Sequence, residues 1–139
     1  MAASSTLVEF YTWLLAAGLG LTETTLKRTE MPDSPDVCTT IYETPGLPDE
    51  RGLGVAGIAF EHPRIRVECR GEADDYDGPR LTLEKIRQEA TKIHATTLSS
   101  TRWDMVQSIG SPYSLGKDTK GRVRVGLAFQ IDKKPSRTA

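Results

Sequence analysis

Met31-Pro-Asp-Ser-Pro-Asp-Val-Cys-Thr-Thr-Ile-Tyr-Glu-Thr-Pro-Gly46 reads as a strand fenced by proline turns. Pro32 and Pro35 hold its opening extended, because each disfavours helix in the residue before it. Asp33, Ser34 and Asp36 are types that bond back onto local backbone and favour a turn. Val37 to Glu43 is β-branched and aromatic, with Val37, Thr39 and Ile41 on one face and Cys38, Thr40 and Tyr42 on the other. Pro45-Gly46 ends the strand. Thr44 to Glu61 then reads as one long loop, holding Pro45, Pro48 and the run Pro48-Asp49-Glu50-Arg51. A loop of that length inside a compact domain is functional or mobile. It is expected to order only on assembly.

Outward from this stretch, two amphipathic helices are expected. The first spans Ser4 to Ala17, with Leu7, Phe10, Leu14 and Ala17 on one stripe and Glu9 placed to close a capping box with Thr6. The second spans Gly78 to Ala95, with Leu83, Ile86, Ala90 and Ile93 buried. Leu21 to Glu30 is a polar connector. Further strands are expected at His62–Arg70, with Ile65, Val67 and Cys69 inward, at Thr101–Gly110 and at Arg122–Asp132. The last alternates through Val123, Val125, Leu127, Phe129 and Ile131. Ser111 to Gly121 is a polar connection. The order α-β-β-α-β-β implies an α+β two-layer sandwich, an approximately four-stranded, mostly antiparallel sheet with both helices on one face. Residues 1–132 form the single domain, and 133–139 a short, basic, flexible tail.

The 139 residues are 37% apolar and 27% charged, the profile of a soluble globular chain. The net charge of −1 conceals an asymmetry. Residues 1–63 carry 3 basic and 9 acidic side chains; residues 64–139 carry 15 and 10. Either two folded faces compensate each other, or an acidic surface of one subunit meets a basic surface of the next. Cys38 and Cys69 read as buried small hydrophobes of a reducing compartment, and a cross-strand disulfide stays open. No signal peptide and no run of about 20 apolar residues is present, so folding in a cytoplasm is expected, without a membrane.

Catalytic patterns are absent. His62, His94, Cys38 and Cys69 lack metal-site spacing, and Asp74, Asp75 and Asp77 lack the glycine and distal glutamate of a calcium loop. No serine sits in a nucleophile elbow, and the glycines at 52–57 lack the strand-turn-helix context of a phosphate loop. No catalytic residue, metal or cofactor is expected. One charged pattern stands out. Arg64, Arg66 and Arg70 share the outer face of one strand, Arg122 and Arg124 that of another. As strand neighbours they would form a basic stripe: solvated surface, subunit contact or loose contact with nucleic acid. No aromatic residues interleave for base stacking.

In order along most of the chain, the sequence resembles the minor capsid, or tail terminator, proteins of long-tailed bacteriophages. The resemblance is carried by Leu14-Leu-Ala-Ala-Gly-Leu-Gly20, Met31-Pro-Asp-Ser-Pro-Asp36, the Ile41-Tyr-Glu strand with Pro45-Gly46, and Ile65-Arg-Val-Glu-Cys-Arg-Gly71. Tyr76, Ser111-Pro-Tyr-Ser-Leu-Gly-Lys-Asp118, Gly121-Arg122 and the closing strand complete it. It implies a virion protein, assembled in the host cytoplasm, that forms a ring, typically a hexamer, at the neck. Its implied partners are copies of itself, the tail tube protein, the head-completion or stopper protein, and genomic DNA passing through the lumen. The family works through surfaces. Pro45, Leu47, Pro48, Asp49, Glu50, Arg51 and Leu53 are therefore the candidate assembly-interface loop, and Arg64, Arg66, Arg70, Arg122 and Arg124 the candidate lumen or inter-subunit stripe. The alternatives are another neck component, such as an adaptor or stopper, and a small nucleic-acid-binding module.

Overall fold

A computed structural model describes residues 5–51, 60–99 and 101–134. Along the chain run α1 (Thr6–Ala16), β1 (Leu26–Arg28), β2 (Cys38–Glu50), β3 (Phe60–Ala73), α2 (Asp77–Ala90), β4 (His94–Leu98), β5 (Thr101–Lys117) and β6 (Arg122–Lys133). The strands form one six-stranded sheet in the order β1-β2-β3-β6-β5-β4. β1 pairs with β2 in parallel and every other pairing is antiparallel. The sheet is mixed and curls into a half-barrel. α1 touches β1 and β2 at one edge and β4 at the other, so the two ends bend toward the same helix.

The four-stranded α-β-β-α-β-β sandwich is thereby corrected, and the causes are local. β1 has three residues and one buried apolar side chain, Leu26, too little to show a period. A Thr22–Thr25 turn aims it, and Thr39 donates its N–H to the Thr25 carbonyl at 2.7 Å. α2 stops at Ala90 instead of Ala95. Ile93 continues the helical spacing and is buried, but it lies past the cap, where β-branched Thr96 and Thr97 turn the chain into β4.

Both supposed connections beside prolines are strand. β5 runs through Pro112 to Lys117, with bulges between Ile109 and Tyr113 and between Ser114 and Gly116. β2 runs through Pro45 and Pro48 to Glu50, with bulges between Thr44 and Leu47 and between Leu47 and Glu50. A bulge leaves a residue outside the hydrogen-bond ladder, one of the places where a strand tolerates proline. Residues 44–50 and 60–61, expected as loop, are thus paired strand, the β2–β3 arm, and residues 52–59, with Leu53, lie outside the described residues.

Ile41, Ile65, Val67, Cys69, Val125, Leu127, Phe129 and Ile131 fill one sheet face, covered by Leu7, Phe10 and Leu14 of α1 and Leu83, Ile86 and Ala90 of α2. Phe10 stacks on Trp103 at 6.1 Å between centroids and meets Phe129 at 5.9 Å. A polar group is set into this core. Glu9, fully buried, accepts bonds from Lys133 Nζ (2.8 Å), Trp103 Nε1 (3.1 Å) and Thr101 Oγ1 (2.6 Å). Lys133 also donates to Thr6 Oγ1 at 3.0 Å. Glu9 is therefore no capping-box member, and Ser5 caps α1 by accepting from the Val8 N–H. Lys133 ends β6 with its amine in the core, one residue past the expected strand end. Among the described residues, no helix is long and apolar enough to cross a membrane.

Candidate assembly surfaces

Opposite the helices lies the sheet's outer face, where register places the arginines. Arg70 stands between Cys38 of β2 and Arg124 of β6; Arg66 between Tyr42 and Ala128; Arg64 between Thr44 and Gln130. Arg122 follows at the start of β6, opposite Ala73. The five are brought together as the alternation required. Their bonding divides them.

Arg70 and Arg122 are buried and hold the Met31–Asp36 segment down. Arg70 donates to the carbonyls of Pro35 (2.6 Å), Asp36 (2.9 Å) and Asp33 (3.4 Å). Arg122 reaches the Asp33 carbonyl and carboxylate, Asp36 Oδ1 and, at 2.7 Å, Asp118 Oδ2. Bonds from Lys120 and then Arg122 hold the Asp33 carboxyl below the usual range. Burial would raise Asp118, but the backbone and guanidinium of Arg122 and the Lys120 amide outweigh it and lower it. The folded-over segment also explains why Thr40, on the outer face, is wholly buried: Met31 Sδ accepts its hydroxyl at 3.2 Å. A strand read as half-buried is buried on both faces here.

Arg64, Arg66 and Arg124 remain partly exposed. Arg64 binds Gln130 Oε1 through Nε (3.2 Å) and Nη2 (3.0 Å), so its charge meets no carboxylate there. Arg66 lies over the Tyr42 ring, 4.9 Å from its centroid. Arg66 and Arg124 share the buried Glu68, at 3.8 and 3.2 Å. The Nε of each is buried without a hydrogen-bond partner. One carboxylate serves two guanidiniums, leaving this centre with excess positive charge.

The arm is pinned at its base by His62. Its Nε2 meets Glu50 Oε2 of β2 at 2.7 Å, and its Nδ1 meets Asp132 of β6. Asp132 foremost, with Glu50, raises the His62 pKa against the burial that lowers it. Gly46 allows the close crossing. A Cβ there would fall 2.0 Å from the His62 carbonyl oxygen and 2.9 Å from Pro63 Cα. Beyond this point Leu47, Pro48, Asp49, Glu50 and Arg51 are exposed, as is Phe60 on the returning strand.

Sequence reasoning missed Glu9, Lys133 and His62 as structural groups. Lys133 had a signal, because it falls in phase with Val123 through Ile131. The cysteines lie on opposite faces of the sheet, since Cys69 is registered against Thr39 rather than Cys38, and both thiols are free and buried. Burial pushes the Cys69 thiol up to about 12. Among the described residues no group of His, Cys, Asp and Glu is placed to hold a metal.

A family model described as bacteriophage tail terminator protein matches residues 14–135. The chain belongs to the bacteriophage tail terminator family. It is accordingly a structural protein of the phage tail that interacts with other tail and neck components. No curated protein matches it. One solved structure that does match is 12% identical, covering 94% of this chain and 92% of its own at a TM-score of 0.49. The segments that carried the sequence resemblance now have structural roles in the tail terminator chain: Met31–Asp36 is the clamped segment, and Pro45-Gly46 the first bulge of the arm.

Proposed function

We propose that this chain closes on copies of itself as a ring, expected to be hexameric, at the head-proximal end of the tail tube. The ring ends tube growth, receives the head-completion protein on its other side, and lets genomic DNA pass through its lumen. It works through surfaces and not through catalysis. The family match over residues 14–135 carries this reading. The fold is compatible with it. The two sheet edges, β1 and β4, are unlike, and the arm extends a surface with no symmetric counterpart. Unlike surfaces associate head to tail, and such contacts close into rings when the rotation permits. A nucleic-acid module is less well supported, because Arg70 and Arg122 bind the chain's own carbonyls and carboxylates.

Light scattering on size-separated protein, with negative-stain microscopy, tests the ring. Closed particles of one small subunit number are the expected result. A monomer at high concentration that also stays off purified tails would contradict it.

A further inference from the structure

We propose that the outer sheet face around Arg66 and Arg124 receives the β2–β3 arm of a second copy of this chain. This deepens the ring reading and rests on it.

The face has the composition of a contact site. Tyr42, Arg66, Ala128 and Ile109 form one cross-strand row, and Thr40, Glu68, Gly126 and Tyr113 the next. Ile109 is 43% and Tyr113 45% exposed, beside two guanidiniums that share one carboxylate. Arginine and aromatic residues around an apolar centre are enriched where protein partners bind.

The arm is its complement in polarity. Leu47 is 55% and Phe60 37% exposed, and Asp49 adds negative charge next to Glu50, which His62 holds, and ahead of the exposed Arg51. Apolar side chains thus have apolar counterparts, and the Asp49 carboxylate has as its counterpart two guanidiniums that share a single carboxylate. A chain cannot satisfy its own patch. Asp49 lies roughly 20 Å along β2 from the Arg66 row, at about 3.3 Å per residue, on a strand that runs away from it. The contact is therefore between copies and uses a different surface on each, the arrangement that builds rings. DNA suits the patch less well. Glu68 lies between the two arginines and repels a phosphate, and Ile109 offers it no hydrogen bond.

Two full-length variants test the contact. Arg66→Glu with Arg124→Glu breaks the patch and keeps the arm. Leu47→Ser with Asp49→Lys breaks the arm and keeps the patch, leaving Glu50 on His62. Each alone is expected to weaken self-association about tenfold or more. Mixed in equal amounts, they form a dimer that grows no further, because only one intact pair of surfaces remains. Arg66→Gln with Arg124→Gln, checked by thermal melting, replaces the first variant if carboxylates beside Glu68 prevent folding. Rings in the wild type that persist unchanged in both variants overturn the docking and leave the ring reading standing. A wild type that never self-associates overturns both. Patch variants that still assemble but lose affinity for short duplex DNA assign the face to nucleic acid and overturn the proposal.

Discussion

Glu9 and Lys133 are residues whose chemistry and position disagree. A carboxylate and an ammonium in an apolar core are costly to desolvate, and close pairing with each other, Trp103, Thr101 and Thr6 offsets that cost. Glu9→Ala leaves the ammonium buried beside an empty site and should cost about 3–5 kcal/mol. Glu9→Leu with Lys133→Met removes both charges and should recover most of the loss. Chemical denaturation of the three proteins checks this; a double variant no better than the single would refute it. His62 gives a pH signature. Its folded pKa is raised, so the clasp contributes in full below the unfolded value near 6.5 and is lost as pH rises through the folded value. The melting temperature of the wild type relative to His62→Gln should fall as pH rises from about 6 to 8.5. A pH-independent difference would mean that the bonds to Glu50 and Asp132 carry no titrating contribution. Of these residues, Lys133 had a signal in the phase of β6, although the sequence reading set it in the basic tail. The pairing of His62 with Asp132 is separated by 70 positions, and no local pattern reports it.

Prolines were the main source of error at the scale of elements. Propensity assigns Pro45, Pro48 and Pro112 to turns, yet each lies in a bulge that lets a long strand continue. Strong apolar periods locate the inward face: Leu7, Phe10 and Leu14 of α1, and Ile65, Val67 and Cys69 of β3, are all buried, although Glu68 and Arg70 on the other face of β3 are buried as well. Short or exposed strands such as β1 and β4 have too few buried residues to show a period. The Met31–Asp36 segment was legible as an extended turn, but not its clamp, because the guanidiniums come from strands 34 to 89 positions away. Arg70→Ala removes three bonds to that segment and should cost about 3 kcal/mol. Amide exchange should quicken at Cys38 to Ile41 while α2 stays protected. Unchanged exchange there would show that Arg122 alone suffices.

For the whole molecule, the charge asymmetry resolves in part within the subunit. Arg122 and Lys120 from the basic half neutralise Asp33 and Asp36 from the acidic half. Among the described residues Asp49 of the arm and the Arg64, Arg66 and Arg124 group, which has Glu68 as its one carboxylate partner, are less fully compensated, and they are the surfaces proposed for assembly. The sheet's curl followed from no sequence pattern. It arises because α1 packs against both edges, a long-range fit that periodicity does not encode. On the proposed function the whole subunit stops tube growth. Electron microscopy of tails assembled in infected cells without a functional copy of this gene is the decisive measurement. Tubes of irregular and excessive length that fail to join heads, restored to one length by the wild-type gene, are the expected result. Tails of normal, uniform length joined to heads would contradict it.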